Sequence, residues 1–224
     1  MRSTPHGHQT APVFDDAIPR HRPHAGQTRI ETVVVLLAAG AGVRFTGTGH
    51  KLSAKLSETA HEPAATVLER AIDHALAADI GPVIVVTGAA TDTIPARFDG
   101  LVLVQFNPRW AEGQMTSVRS GLERAVELGA SAAIVGLGDQ PFISPQAWRA
   151  VASSPGPIAV ATYDGRRANP VRLNASVWDL LPTTGDEGAR SLMRVRPELV
   201  REVPCTGSPA DIDTAEDLSR WQSN

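Results

Sequence analysis

A run of small residues followed by basic side chains gives the sequence the composition of a phosphate-binding loop. In Ala38-Ala39-Gly40-Ala41-Gly42 no side chain exceeds a methyl group, and Arg44 and Lys51 come shortly after it. Small residues let backbone N–H groups approach an anion closely, and cationic side chains supply the charge that a polyphosphate attracts. The spacing matches neither G-x-x-x-x-G-K-[ST] nor G-x-G-x-x-G. The pattern indicates phosphate binding, with an ordinary strand-to-loop turn as the alternative interpretation.

Carboxylates form a second set of residues suited to chemistry. Asp139 follows an apolar run in Gly138-Asp-Gln-Pro141, and Asp211-Ile-Asp213 precedes a helical pattern near the end of the chain. Mg²⁺ takes oxygen ligands, often one or two carboxylates plus substrate phosphates. An apolar residue between two aspartates predicts a short extended segment whose carboxylates point opposite ways, so only one of them can face Asp139. The alternatives are a simple turn at Asp139 and helix capping by the aspartate pair.

Alternating strand and helix patterns place both the small-residue loop and Asp139 directly after predicted strands. Thr32–Leu37 and Ala132–Leu137 are continuous apolar runs, typical of strands buried on both faces of a parallel sheet. The other strand patterns are Val83–Val86, Leu101–Phe106, Ile158–Tyr163, Pro170–Leu173 and Leu199–Val203, and the helical patterns are Pro63–Asp79, Gln114–Leu128, Pro145–Val151, Val177–Leu181, Glu187–Val195 and Thr214–Trp221. The alternation predicts an α/β three-layer sandwich with a mainly parallel sheet, whose ligands bind at the carboxyl ends of strands.

Composition bounds the domain organisation and the partners. Residues 1–30 are rich in proline and histidine without a periodic apolar face, which predicts a flexible leader dispensable for catalysis before one domain over residues 31–224. A net charge of −3 without basic blocks argues against nucleic acid as a partner, and no apolar run approaches the roughly 18 residues that cross a membrane. With Cys205 as the only cysteine, no internal disulfide can form, and we expect a cytoplasmic protein.

Six short motifs occur in order along most of the chain. They are Leu37-Ala-Ala-Gly-Ala-Gly-Val-Arg-Phe45, His50-Lys-Leu52, Gly113-Gln-Met-Thr-Ser-Val-Arg-Ser-Gly-Leu122, Gly138-Asp-Gln-Pro141, Gly185-Asp-Glu-Gly-Ala-Arg190 and Asp211-Ile-Asp-Thr-Ala-Glu-Asp-Leu218. Together they resemble the MobA-like nucleotidyltransferases, most of all the molybdenum cofactor cytidylyltransferases, from about Val33 to Trp221. The resemblance implies a nucleotide-diphospho-sugar transferase (glycosyltransferase-A-like) fold. It also implies Mg²⁺-dependent transfer of a nucleotidyl group from an NTP to a phosphate, with release of pyrophosphate.

The resemblance also implies roles for individual residues. Arg44 and Lys51 would be catalytic, Lys51 at the α-phosphate, with Lys55 as the second choice because the family usually has proline there. The expected nucleotide-binding residues are Leu37, Ala38, Ala39, Gly40, Gly42, Arg44, Lys51, Ser117, Gly138 and Asp139. The expected Mg²⁺ ligands are Asp139 and Asp213, with Asp211 as the alternative to Asp213. The expected acceptor-binding residues are Asn169, Pro170, Asp186 and Arg190.

The same motifs bear on which nucleotide and which acceptor the protein uses. Leu37-Ala-Ala-Gly40 is similar to the CTP-using relatives, whereas the GTP-using branch tends to have Leu-Ala-Gly-Gly, so we expect CTP. Arg167-Ala-Asn-Pro170 departs from the Gly-His-Pro of many relatives on the side that faces the acceptor. The alternatives are a GTP-using or sugar-phosphate nucleotidyltransferase, and a non-catalytic protein that delivers the finished cofactor to a molybdenum hydroxylase.

Overall fold

The computed structural model of the chain describes residues 30–47, 49–59, 62–90 and 92–222. The predicted leader lies outside the described residues except for Ile30, which packs partly buried against the core. The strands are β1 (Thr32–Ala38), β2 (Lys55–Leu56), β3 (Ala65–Thr66), β4 (Val83–Thr87), β5 (Val102–Phe106), β6 (Ala132–Leu137), β7 (Ile158–Tyr163), β8 (Arg166–Asn174) and β9 (Val200–Pro204). The α-helices are α1 (Val67–Ala77), α2 (Gln114–Glu127), α3 (Pro145–Ser153), α4 (Arg190–Val195) and α5 (Ala215–Gln222).

One seven-stranded sheet runs through the molecule in the order β5-β4-β1-β6-β8-β7-β9. β5, β4, β1 and β6 are parallel, β8 is antiparallel to both β6 and β7, and β9 is parallel to β7. The chain leaves β1 towards β4 and β5 on one side and returns to β6 on the other. The strand order therefore reverses between β1 and β6, which is where ligands bind in open α/β sheets.

Side chains of β1 alternate between two cores, one on each face of the sheet. Val34 and Leu36 belong to the core that contains the buried residues of α1 and α3. Val33 and Val35 belong to the core that contains those of α2 and α4. This period of two is what a strand buried on both faces requires, because successive side chains point to opposite faces. The predicted three-layer α/β sandwich with a mainly parallel sheet is confirmed.

Helix α1 begins later than its apolar spacing predicts. The pattern predicts a start at Pro63, but Ala65 and Thr66 pair as β3 with β2, and the helix begins at Val67. The side chain of Thr66 accepts from the backbone N–H of Glu69, and the Glu69 carboxylate accepts from the N–H of Thr66. This reciprocal cap satisfies two donors at the helix start and determines where it begins. Within the described ranges, no helix is both long and apolar enough to cross a membrane.

Candidate active site

Lys51 lies between two aspartates at the carboxyl ends of the strands. Its Nζ is 2.5 Å from Asp139 Oδ2 and 2.7 Å from Asp213 Oδ1. The three side chains are mostly buried, with 12, 17 and 21% of their surfaces exposed. Burial by itself lowers the pKa of Lys51, but the Asp139 and Asp213 carboxylates outweigh it and the pKa is raised. The lysine is therefore fully charged at neutral pH.

Backbone contacts bring the two aspartates together from distant parts of the chain. Asp139 follows β6, and its carbonyl oxygen accepts a hydrogen bond of 2.9 Å from the N–H of Ile212. Ile212 is fully buried, so the segment is anchored between Asp211 and Asp213. Asp213 turns to Lys51 and also pairs with Arg44 at 2.9 Å. Partial desolvation and the Asp139 carboxylate raise the pKa of Asp211, although a hydrogen bond from Gln140 and the charge of Lys51 act in the opposite direction.

Asp217 fixes the backbone next to Asp213. Its Oδ2 accepts from the backbone N–H groups of Asp213 and Thr214, and its own N–H donates to the hydroxyl of Thr214. These bonds form a cap at the start of α5. Hydrogen bonding to the Thr214 hydroxyl is the main cause that lowers the pKa of Asp217. The helix start therefore positions the Asp213 carboxylate.

The loop after β1 folds back against His50. His50 Nε2 lies 3.0 Å from the carbonyl oxygen of Gly40, while its Nδ1 accepts from the N–H of Leu52. Because Nδ1 accepts, the proton resides on Nε2 and donates to Gly40. Gly42 has φ +63, and a Cβ there would press on His50 Nε2 and on Lys51 Cγ. Glycine at this position lets the loop approach the lysine closely.

A cleft of about 540 Å³ opens above β1 and β6. Five of the predicted nucleotide-binding residues line it: Leu37, Ala39, Gly40, Ser117 and Asp139. Ala38 is buried with its methyl group in the core, and Gly138 is fixed against β1 by its N–H bond of 2.9 Å to the carbonyl of Leu37. Those two positions support the cleft, and their side chains are not part of its surface.

A second cavity of about 330 Å³ adjoins the first. The two share Leu37, Gln114 and Leu137 in their linings. Its lining is mainly apolar, and its polar residues are Gln114, Arg167, Asn169, Glu187, Arg190 and Arg194. A mostly apolar cavity with a few polar groups is the usual form of a small-molecule site.

The four predicted acceptor-binding residues do not lie together in the structure. Asn169 and Arg190 line the second cavity. Pro170 is buried and does not line it. Asp186 lies in the first cleft, where its Oδ1 accepts from the N–H of Gln114 at 3.2 Å and caps α2.

Three buried or partly buried polar residues of the site were not predicted from the sequence. Asn107 Nδ2 donates 2.9 Å hydrogen bonds to both Thr116 and Ser117, and so orients Ser117. Gln140 and His50 also hold the site together, although both occur in the quoted motifs. For Asn107 the available signal was its place at the carboxyl end of β5, directly before a proline.

The carboxylates have the properties that a divalent cation needs. Asp139 Oδ1 is buried and has no hydrogen-bond partner among the described residues. A carboxylate oxygen left unpaired in this way suits a hard cation. The described residues contain no group of three or more metal-ligating side chains. Two carboxylates with the remaining ligands from phosphate and water is the usual arrangement for Mg²⁺, so the residues fit it.

A family model described as a MobA-like NTP transferase domain matches residues 34–203. The chain belongs to that family. The resemblance to the MobA-like nucleotidyltransferases is therefore confirmed. The family and the similar structures support a nucleotidyltransferase that uses a nucleoside triphosphate.

Two curated proteins are similar in sequence. Nicotine blue oxidoreductase of Paenarthrobacter nicotinovorans is 31% identical over 210 residues, which are 87% of this chain and 98% of that protein. Purine catabolism protein PucB of Bacillus subtilis is 32% identical over 125 residues, which are 50% of this chain and 61% of that protein.

Solved structures are similar over nearly the whole domain. Rv0371c of Mycobacterium tuberculosis has a TM-score of 0.69 and 26% identity, over 88% of this chain and 100% of that one. A second structure of Rv0371c is a complex with manganese, with a TM-score of 0.63 and 25% identity over the same shares. A nucleotidyl transferase of Methanothermobacter thermautotrophicus has a TM-score of 0.72 and 22% identity, over 86% of this chain and 96% of that one, which shows a common fold.

Proposed function

We propose that the protein is a Mg²⁺-dependent cytidylyltransferase that transfers CMP from CTP to the phosphate of a molybdopterin-type acceptor. The observation that carries the proposal is Lys51 between Asp139 and Asp213, at the reversal of strand order between β1 and β6. Two mostly buried carboxylates and a lysine beside a small-residue loop suit a metal-bound triphosphate. The manganese complex of Rv0371c supports a divalent cation in this fold.

The proposed reaction needs positioning and charge neutralisation. An oxygen of the acceptor phosphate attacks the α-phosphorus of CTP, the bond to the bridging oxygen breaks, and pyrophosphate leaves with the bonding electrons. Mg²⁺ held by Asp139 and Asp213 would neutralise charge on the triphosphate. Lys51, charged throughout, stabilises the charge that develops at the α-phosphate. Arg44, 74% exposed, can turn from Asp213 to the outer phosphates.

The preference for CTP rests on the space beside Ala39. Its methyl group is buried at the wall of the first cleft and narrows the room for a base. A smaller pyrimidine fits such a wall better than a purine. Ser117, held by Asn107, adds a hydroxyl in the same cleft for hydrogen bonding to the base edge.

The acceptor is assigned to the second cavity. A mainly apolar lining next to Arg190, and to Arg167 that pairs with Glu202, suits a flat heterocycle that carries an anionic group. The cavity adjoins the nucleotide cleft at Leu37, so a phosphate at the boundary can reach the α-phosphorus. We further propose a transient contact with a molybdenum hydroxylase that receives the product.

Pyrophosphate release tests the proposal directly. The purified chain is incubated with Mg²⁺, each of the four NTPs, and either molybdopterin or a panel of sugar 1-phosphates. We expect release with CTP and molybdopterin and at most slow release in the other mixtures. Release only with GTP, or only with a sugar phosphate, would replace the cytidylyltransferase proposal by the corresponding alternative. Tight binding of finished cofactor without any release would favour a delivery protein.

The name of the Paenarthrobacter relative raises a second candidate function, an oxidoreductase. The apolar cavity beside a nucleotide cleft would also suit a flat dye next to a dinucleotide. Hydride transfer, however, gives no task to Lys51 and its two carboxylates. Consumption of NADH or NADPH with a flat blue dye as oxidant decides the matter: a turnover that survives Asp139→Asn would favour the oxidoreductase.

A further inference from the structure

The pairing of β7 and β8 is interrupted beside the second cavity. The register shifts between Val160 and Ala161 of β7, which leaves Asn169 and Pro170 of β8 as a bulge. Bulges next to active sites redirect side chains away from the regular ladder. The side chain of Asn169 lines the second cavity and reaches Gln140, in the loop that carries Asp139.

The direction of the Gln140 amide is set by a group that can only accept. Its Nε2 donates to the carbonyl oxygen of Pro209 at 2.9 Å, and Gln140 also hydrogen bonds to Asp211. Gln140 is 6% exposed, so its amide cannot replace these partners by solvent. Because Pro209 occupies the nitrogen end, the oxygen end of Gln140 must face Asn169.

The direction of the Asn169 amide follows from that of Gln140. Asn169 Nδ2 donates to Gln140 Oε1 at 2.9 Å. Its Oδ1 accepts no hydrogen bond from any described residue. Among the described residues, the buried side-chain atoms without a partner are Asp139 Oδ1, Tyr163 Oη and Arg172 Nε, and because Asn169 Oδ1 is not one of them it is accessible. The edge of the cavity therefore carries a hydrogen-bond acceptor, and not the amide donor.

We propose that Gln140 is a positioning residue and Asn169 a specificity-determining residue for the acceptor. The relay from Pro209 through Gln140 holds Asn169 Oδ1 towards the second cavity, where it selects a heterocycle with an N–H donor edge. A 2-amino-4-oxo ring presents such donors, whereas a 2,4-dioxo ring has a carbonyl in place of the amino group. The inference deepens the proposed function, because it concerns the same acceptor site.

Two fluorescent probes that differ at one group test the selectivity. Pterin-6-carboxylate carries the 2-amino group, lumazine-6-carboxylate carries a carbonyl there, and both offer a carboxylate to the arginines. Fluorescence titration of the full chain should give about tenfold tighter binding of the pterin, since a carbonyl opposite Asn169 Oδ1 leaves two acceptors facing each other. Equal affinity, tighter binding of the lumazine, or no binding of either probe would overturn the inference.

Variants distinguish a specific effect of Gln140 on Asn169 from a nonspecific disturbance of the structure. Asn169→Ala should bring the ratio of the two affinities close to one. Gln140→Met should do so as well, and the double variant should match Asn169→Ala alone, because Gln140 acts through Asn169. Gln105→Met, whose amide bonds Ser120 in another part of the sheet, is the matched glutamine control and should retain the ratio. A ratio that persists in Asn169→Ala, or that falls further in the double variant, contradicts the relay.

Binding of Mn²⁺ and CTP to the same preparations shows whether the Gln140–Asn169 relay or the proposed nucleotidyl transfer has failed. Absence of probe selectivity in the unaltered chain, with intact Mn²⁺–CTP binding, overturns the relay and leaves nucleotidyl transfer untouched. Absence of Mn²⁺–CTP binding in the unaltered chain, with pterin selectivity present, overturns the proposed reaction and leaves the relay. Asn169→Ala also covers the case in which Gln140→Met does not fold, because it alters only the cavity end.

Discussion

The backbone N–H of Ile212 donates to the carbonyl oxygen of Asp139 across 2.9 Å, which joins the two acidic segments of the site. A backbone bond of this kind is independent of the charge on the neighbouring side chains. The relative positions of Asp139 and Asp213 therefore follow from the buried Ile212 and the strand end, and not from Lys51. Neutral substitutions in the carboxylates can consequently be read as changes in chemistry with little change in structure.

Asp139→Asn should lower turnover by about 100-fold or more, an order of magnitude typical for loss of a main electrostatic group. The amide has the size of the carboxylate but removes the charge that would bind the cation. The melting temperature should barely change, because the Asp139 carbonyl still accepts from Ile212. Steady-state kinetics and thermal unfolding measure the two effects. Asp211→Asn is the matched control, since Lys51 forms its direct ion pairs with Asp139 and Asp213 and acts on Asp211 only at longer range, and an equal loss there would reassign the metal ligand.

Ala39→Gly should weaken the preference for CTP over GTP by about tenfold without reversing it. Removing one methyl group from the wall of the cleft changes discrimination by roughly 1–3 kcal/mol. The hydrogen bonds at Ser117 remain and retain part of the preference. Titration of both nucleotides in the presence of Mg²⁺ checks it. GTP binding as tight as CTP in the unaltered chain would eliminate the cytidylyltransferase proposal.

Glu69→Gln should destabilise the protein at neutral pH by about 0.3–1 kcal/mol, the range for a charge lost at a helix N-terminus, because the amide oxygen can still accept from the N–H of Thr66. Burial tends to raise the pKa of Glu69, but hydrogen bonds from Thr66 and the ion pair with Arg97 outweigh it and the pKa is lowered from 4.5. A lowered folded-state pKa means that this stability is present above the unfolded value and is lost as the pH falls through the folded value. Urea unfolding should therefore show a difference between the two proteins at pH 7 that shrinks as the pH falls below 4.5, the ordinary pKa of the Glu69 carboxyl, towards its lower folded-state pKa. A difference independent of pH would contradict the role of the carboxylate charge.

Parts of the site that depend on short-range pattern could be predicted from the sequence. The strand that ends at Ala38 and the strand before Asp139 are nearly uniform apolar runs, so their carboxyl ends meet at one edge of a parallel sheet. The alternation in Asp211-Ile212-Asp213 indicated that one carboxylate would face Asp139. It could not indicate which, because either register satisfies the alternation and the choice depends on the long-range bond to Ile212.

Features that depend on long-range pairing could not be predicted. The start of α1 at Val67 follows from the pairing of β3 with β2, which no local pattern of Pro63–Asp79 contains. The bulge at Asn169 follows from the register that β8 adopts against β7. Asp186 matched an acceptor position by resemblance, yet its carboxylate caps α2 beside the first cleft. Each of these features is determined by a partner in another segment of the chain, which the residues of the feature itself do not reveal.

Lys51→Met should tighten the binding of Mn²⁺ to the nucleotide-free protein while it abolishes transfer. Lys51 Nζ lies within 2.7 Å of both carboxylates and neutralises them, so a cation must displace it to reach their oxygens. Methionine retains the length of the side chain without the charge, and Asp139 and Asp213 then lack their mostly buried counter-ion. Mutual repulsion between two desolvated carboxylates favours any divalent cation that relieves it. We expect about a tenfold or greater increase in Mn²⁺ affinity by calorimetric titration, with turnover reduced at least 100-fold.

Arg44→Met is the matched control, because Arg44 also contacts Asp213 but is mainly exposed, where solvent screens its charge, so its effect should be smaller. Weaker Mn²⁺ binding in Lys51→Met would mean that the lysine assembles the carboxylates instead of competing for them.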